Sequence, residues 1–536
     1  MSTLDNPQTT GLSHRQIMTI LSGLMLGMFL ASLDQTIVST AMRTIADKLD
    51  GQTAQAWVTT AYLVTSTVST PLYGKLSDLY GRKPFYLFAI GVFTVGSILC
   101  GQAHSIYELA AYRALQGLGA GGLMSLAFAI IGDLIAPRQR AKYQAYFTSV
   151  FATSSVLGPV LGGFFAGQGT LLGIDGWRWI FYVNVPIAML AFYVVQHYLA
   201  VPRRREEHRI DYLGAGLLTS SVVPVLLLAE KGREWGWGST TSLALMAISV
   251  VSLGLFIPRE SAMGEDAILP LRIFRDKVFS VVSVVAVLVG AVMFGGLSLM
   301  PLYLQIVREK SPTTAGLLMT PLMAGIMLTS LVVGRIMQRT GRYKVFPIFG
   351  TAVLFVGMLL ASTLKVDTPM WQVMGMMVVV GMGLGLTMQM LVISVQNSLP
   401  PEDMGLSTSG ITFFRSIGAT LGAATSLAIL FGTVGGNIKE RLAHSSYSSL
   451  ANQVTGDKLD NTSALFAKLP APLKQLVLEG FADSMHTVFL VVAAIVVPAF
   501  IGTFFIKEVP LRQHGGLASA SAAADGDRAM AETAVV

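Results

Sequence analysis

The sequence predicts an all-α integral membrane protein: fourteen transmembrane helices arranged as two six-helix bundles plus two extra linker helices. Three observations predict it. Only 12% of the 536 residues are charged, 53% are hydrophobic, and the mean hydropathy is +0.62. A soluble chain of this size carries about twice that charged fraction. Fourteen apolar runs are long enough to span a bilayer as helices, which takes about 20 residues each. Finally, a basic loop recurs. It reads Gly74-Lys-Leu-Ser-Asp78-Leu-Tyr-Gly81-Arg82-Lys83-Pro84 and, 260 residues later, Gly334-Arg-Ile-Met-Gln-Arg-Thr-Gly341-Arg342-Tyr-Lys344. Both copies have a Gly, six residues, then Gly-Arg, set between two apolar runs. A repeat at that distance marks two related membrane halves, as in transporters built from parallel repeats.

The runs cover about 17–42, 55–75, 85–103, 106–135, 143–167, 179–200, 212–230, 240–257, 278–304, 315–335, 345–364, 371–397, 406–432 and 486–506. An even number puts both termini on one side, and Lys and Arg choose the side. With a cytoplasmic N-terminus, 22 Lys and Arg fall in cytoplasmic segments against 8 in the short external loops. The net charge of +7 is therefore positive-inside bias and gives no support to nucleic-acid binding. The single cysteine, Cys100, excludes an intrachain disulfide. The first run is too long for a cleaved signal peptide and contains Asp34.

These runs divide as six, two and six. We expect a cytoplasmic tail over 1–14, a first bundle over 15–200, and the extra pair with its cytoplasmic linkers over 201–277. A second bundle follows over 278–506, including an external loop at 433–485, and then a disordered cytoplasmic tail at 507–536. Within that loop, Leu473, Leu476, Val477 and Phe481 recur at helical spacing, which predicts a short amphipathic helix on the membrane surface.

Charges inside the runs are the functional candidates. Asp34 lies in helix 1, roughly 10–12 Å from its outer end. A charged carboxylate there costs about 2.5–3.5 kcal/mol on insertion scales, so it should face a watery cavity. Such an acid can take a proton on one side and release it on the other, and it can attract a cation. Arg113 lies at matching depth in helix 4 and must be paired or hydrated; contact with it would couple proton binding to conformation. The bland alternatives are a water-capped acid and a structural ion pair. Gly117, Gly119 and Gly121 permit close helix packing. The last six helices contain no buried acid; they hold Arg415, Gln305, Gln389, Gln396, Tyr303 and Phe413. These, with Gln35, Trp57, Tyr62 and Gln116 of the first half, are candidates for a substrate path, although isolated amides and aromatics in a bundle more often serve packing.

The order of motifs resembles the fourteen-helix drug:proton antiporter branch of the major facilitator superfamily. The resemblance covers about 15–510 and rests on Leu33-Asp34-Gln-Thr-Ile-Val, Trp57-Val-Thr-Thr-Ala-Tyr62, the Gly74–Pro84 loop and Arg113-Ala-Leu-Gln-Gly117. It continues through Gly158-Pro159-Val-Leu-Gly162-Gly163, Trp177-Arg-Trp-Ile-Phe-Tyr-Val-Asn184-Val-Pro186, Tyr303-Leu-Gln305 and Phe414-Arg415-Ser-Ile-Gly418. It implies the major facilitator fold and proton coupling through Asp34 and Arg113. It also implies a conformational latch in Gly74, Asp78, Gly81, Arg82 and Lys83. The second loop copy has Gln338 in place of Asp78, so the latch is not carried over to it. Gly158, Pro159, Gly162 and Gly163 resemble the helix-5 motif of antiporters, with Ser154 where the family usually has Gly. The resemblance further implies a bacterial plasma membrane.

The expected function is export of lipophilic or cationic drugs in exchange for protons by alternating access. The partners are a small molecule, protons and the lipid bilayer, and the protein is expected to work as a monomer. A dedicated exporter of one metabolite, antibiotic, amino acid or lipid is the alternative, and a non-transporting receptor a remote one. An enzyme is disfavoured: the histidines fall in loops, tails or helix ends, and no phosphate-binding loop is present. No cofactor and no metal are expected, since the proton gradient supplies the drive.

Overall fold

The computed structural model describes residues 14–51, 54–135, 137–199, 211–445 and 470–511. The expected terminal tails lie almost wholly outside these residues, as does most of the 201–211 linker. The helices are α1 (His14–Lys48), α2 (Gln55–Tyr80), α3 (Arg82–Gln102), α4 (Ile106–Leu134), α5 (Pro137–Gly167), α6 (Trp179–Tyr182), α7 (Asn184–Tyr198), α8 (Tyr212–Trp235), α9 (Thr240–Met263), α10 (Lys277–Leu302), α11 (Pro312–Leu318), α12 (Thr320–Thr340), α13 (Val345–Ser362), α14 (Met370–Ser398), α15 (Met404–Ala443) and α16 (Ala471–Phe504). Helices α6 and α7 form one span, as do α11 and α12. A two-stranded hairpin, Thr170–Leu171 with Ile174–Asp175, is an addition to the all-α expectation.

Among the described residues, thirteen spans are long and apolar enough to cross a membrane. The fourteenth, α2, is long but rich in Thr and Ser. Their hydroxyls donate back along the helix, Thr65 to the Ala61 carbonyl at 2.9 Å and Thr70 to that of Ser66 at 2.8 Å. This hides the hydroxyls while leaving the composition polar.

The first half packs α4 between α2 and α3, and α1 against α5 and α7. Glycines set the spacing: a Cβ at Gly117 or Gly121 would meet the α2 backbone, and one at Gly119 would meet α3. In the second half α10 lies along α15, and α14 packs on α12 and α13. The halves meet through α5 with α12 and through α2 and α4 with α15. Helices α8 and α9 pair with each other, and Leu218, Phe256, Ile268 and Ile273 join a core cluster of the second half.

The start of the fourteenth run differs from expectation. Helix α15 continues to Ala443, and α16 starts at Ala471 rather than near 486. The 472–481 stretch is thus the first part of a spanning helix, not a separate surface helix. Its apolar spacing is used against another helix: Leu473, Val477 and Phe481 share a core cluster with Val434, Ile438 and Leu442. Alongside, Arg441 pairs with Glu479 and Asp483, and Asn437 donates to Ser484 at 2.8 Å. At 40 residues α15 is about 60 Å long, roughly twice the hydrocarbon thickness, so this polar pairing lies outside the lipid.

Candidate functional site

Asp34 is fully buried, which differs from the expected watery setting. Two helices, α4 and α7, bring side chains to it. Arg113 of α4 forms an ion pair with its Oδ2. Gln116, one turn further along α4, donates to Oδ1 at 2.8 Å, and Asn184 at the start of α7 donates to the same oxygen at 2.8 Å. The Gln116 carbonyl in turn accepts from Arg113 at 2.7 Å. Asn184 also donates to Ser97 Oγ at 3.0 Å, and Ser97 donates to the Phe181 carbonyl at 2.9 Å. The Arg113 guanidinium lies 4.0 Å from the Tyr62 ring centroid, a cation–π contact in a dry setting. The Tyr62 hydroxyl reaches the Ala31 carbonyl at 3.3 Å, one turn before Asp34.

The physical reason for the difference is charge neutralisation. A lone carboxylate at this depth needs water, whereas one with a guanidinium and two amide donors can be sealed. Sequence reasoning missed Asn184 and Ser97 as members of this cluster. The available signal was a buried amide, Asn184, within the apolar run Val183-Asn184-Val185-Pro186.

The Gly158–Gly163 motif of α5 links this cluster to the second half. Gly158 and Gly162 face Thr36 and Ile37 of α1, immediately after Asp34; Pro159 faces Gly316 of α11, and Gly163 faces Thr313. Gly158→Val is expected to force α1 and α5 apart, since even a Cβ would overlap Thr36. Overpacking of this kind costs about 1–3 kcal/mol, to be read as a lowered unfolding midpoint of the purified protein in detergent.

At the end of the bundle that carries the repeated loops, Asp78 joins the two halves. Its carboxylate accepts from the backbone N–H groups of Gly405 at 3.1 Å and Leu406 at 2.8 Å. These are orphan donors in the first turn of α15, so a side chain of the first half caps a helix of the second. Arg82 forms an ion pair with Asp78 and a 2.7 Å bond to Asp133, and it donates to Ser77 at 2.6 Å. Gly81 has φ +99, which only glycine adopts freely, and this positions Arg82 at the start of α3. Gly74 lies against Ser409 of α15. Lys83 points elsewhere, donating to the Gln196 carbonyl near the end of α7 at 2.6 Å.

Gln396 belongs to this end as well. It accepts from Arg140 at 3.0 Å and donates to Thr408 at 2.9 Å, so it ties α5, α14 and α15 together and is 1% exposed. Two further ties were missed from the sequence: Arg272 grips Asp403 with bonds of 2.7 and 2.8 Å, and Lys75 reaches the Glu265 carbonyl. They connect the segment after α9 to both halves. In the second loop copy, Glu508 accepts from the Tyr343 N–H at 3.0 Å, so this loop holds the stretch after α16 rather than the first half.

The remaining candidates do not converge on one place. Trp57 stacks near Trp235 of α8, with centroids 6.1 Å apart. Tyr303 is buried in the second half, its hydroxyl donating to the Lys365 carbonyl at 2.8 Å. Gln305 is exposed, Gln35 half-buried and Gln389 buried in α14. Phe413 is buried beside Phe414, with centroids 5.4 Å apart. Arg415 is half-buried, eleven residues past the first residue of α15.

The family model described as "Major Facilitator Superfamily" matches residues 24–423. The chain is 32% identical over 512 residues to "Multidrug transporter protein MdtP" of Bacillus subtilis, covering 92% of this chain and 93% of that one. It is 31% identical over 514 residues to "Multidrug resistance protein 3" of the same organism, covering 94% and 98%. An uncharacterised MFS-type transporter of Mycobacterium tuberculosis is 37% identical over 494 residues, 92% of this chain and 70% of that protein. Among solved structures, the proton:xylose symporter XylE superposes with TM-score 0.59 at 14% identity, over 92% of this chain and 96% of that one. A bacterial homologue of the lysosomal transporter Spinster gives 0.57 at 16% identity, over 93% and 100%.

Proposed function

The chain belongs to the major facilitator superfamily, and from that premise we propose that it is a proton-coupled efflux transporter of lipophilic drugs and toxic compounds, working by alternating access. The relatives named as multidrug transporters support the export of such compounds. The observation that carries proton coupling is the sealed Asp34–Arg113 pair with its two amide donors. Neutralising Asp34 with a proton removes the charge that holds Arg113, leaving a buried guanidinium without its counter-ion. A buried pair broken in this way costs about 3–5 kcal/mol, enough to drive a rearrangement of helices. A protonated Asp34 also gains a donor, and the Asn184 Oδ1, buried without a hydrogen-bond partner, can accept it once the amide turns over.

With the basic end cytoplasmic, as the Lys and Arg distribution directs, the Asp78 cap on α15 and the Arg140–Gln396 bond close the cytoplasmic side. Opening that side breaks both. The preference for cations expected from a lone acid is not retained, because Arg113 already occupies Asp34. The test uses inverted membrane vesicles made acid inside, a pH-sensitive dye and a panel of lipophilic compounds. Addition of a transported compound is expected to release protons from the lumen in proportion to its uptake. Compound uptake that proceeds without any proton movement would remove the coupling.

A further inference from the structure

Arg415 lies eleven residues past Met404, the first residue of α15. At 1.5 Å per residue that is roughly 16 Å along the helix, near the middle of a hydrocarbon layer about 30 Å thick. The guanidinium makes no hydrogen bond or ion pair among the described residues, and no carboxylate is close enough to act on it. The buried arginines each have partners: Asp78 and Asp133 for Arg82, Asp34 for Arg113, and Gln396 and two carbonyls for Arg140. Their partners are part of the fold, and among the described residues Arg415 has none.

Its surroundings change abruptly along α15. Every residue from Met404 to Phe413 is buried, and this is the stretch that carries the Asp78 cap and the Gln396 tie. From Phe414 to Ile417 the helix is half-buried. Arg415 is thus the first charged side chain beyond the closed end. An unpaired guanidinium facing lipid at this depth is costly, and the side chain is too far in to snorkel to an interface. Such a side chain calls for an aqueous or ligand-filled setting, which alternating access provides between the two halves. Asp34 and Arg113 compensate each other, which leaves the positive charge of Arg415 unbalanced.

We infer that Arg415 binds the anionic group of the transported compound, so that the substrates include amphiphilic organic anions: a carboxylate or sulfonate attached to an apolar body. A planar guanidinium pairs such a group through two parallel hydrogen bonds, which a compact ammonium does not reproduce. The inference rests on the efflux reading for its cavity. It also separates coupling from recognition: Asp34 in the first half takes the proton, and Arg415 in the second half takes the anion.

Equilibrium binding of dansylaminoundecanoic acid, its methyl ester and the corresponding amine to the purified protein tests this, with proteoliposome transport measured separately. The acid is expected to bind the parent more tightly than the ester or the amine. In Arg415→Gln its affinity should fall at least about tenfold, and in Arg415→Lys it should be partly retained; the affinity of the ester should not change. Because Arg415 has no partner to lose among the described residues, Arg415→Gln should not lower the unfolding midpoint, which a structural role would. Equal binding of acid and ester by the parent, or an equal loss of both in Arg415→Gln, overturns the inference. Normal acid binding with no proton-linked transport leaves the inference standing and sinks the efflux reading instead.

Discussion

Asp34→Asn is expected to abolish substrate-driven proton movement, reducing the dye response in vesicles to that of membranes without the protein. Asparagine cannot exchange a proton, and it removes the counter-charge from Arg113, a residue 1% exposed. The second effect is energetic. Leaving Arg113 buried and unpaired costs about 3–5 kcal/mol, so the single variant should unfold earlier and populate rearranged conformations. Coupling and stability are separated by the double variant Asp34→Asn/Arg113→Gln. Replacing both partners by neutral groups of similar shape is expected to restore the unfolding midpoint, as buried ion pairs tolerate joint replacement far better than single loss. Proton coupling should stay absent in the double variant. A double variant that still exchanges protons for substrate would move the coupling site away from Asp34.

Asp78→Asn is expected to release the closed end of the bundle. The carboxylate makes two charge-assisted bonds to the N–H groups of Gly405 and Leu406 and an ion pair with Arg82. Bonds to a charged group contribute about 1.5–3 kcal/mol. Removal of the charge should shift the closed–open balance about tenfold to a hundredfold, at roughly 1.4 kcal/mol per factor of ten. The sole native thiol, Cys100, is buried, so probes at introduced cysteines label cleanly. Tyr80 at the end of α2 and Glu402 just before α15 are both exposed and flank the cap. Spin labels at Tyr80→Cys and Glu402→Cys should report a short distance in the parent and a longer population in Asp78→Asn. An unchanged distance distribution would show that the other ties, Arg140–Gln396 and Arg272–Asp403, hold this end without Asp78.

Membrane character, the number of spans and the pairing of two halves were legible in the sequence, because each depends on local quantities. A run of apolar residues spans a bilayer wherever it sits, and a repeated loop reports repeated structure whatever it touches. Asp34 and Arg113 were legible as a pair for a similar reason, since charge at equal depth in hydrocarbon must be compensated. What the tertiary structure alone decided is who compensates whom. Asn184 and Ser97 join Asp34 because α3 and α7 pack beside α1 and α4 at that level, and no spacing along the chain encodes this. Gln396 read as a substrate-path amide and instead ties the closed end, since an isolated amide carries no sign of its partner. The length of α15 and α16 beyond the lipid was hidden for the same physical reason: two polar helix ends satisfy each other through Arg441, Glu479 and Asp483, while composition alone reads them as loop. Local propensity and hydropathy determine the elements and their membrane crossing. The identity of a buried charge's partner, and hence its role, is determined by which helices meet.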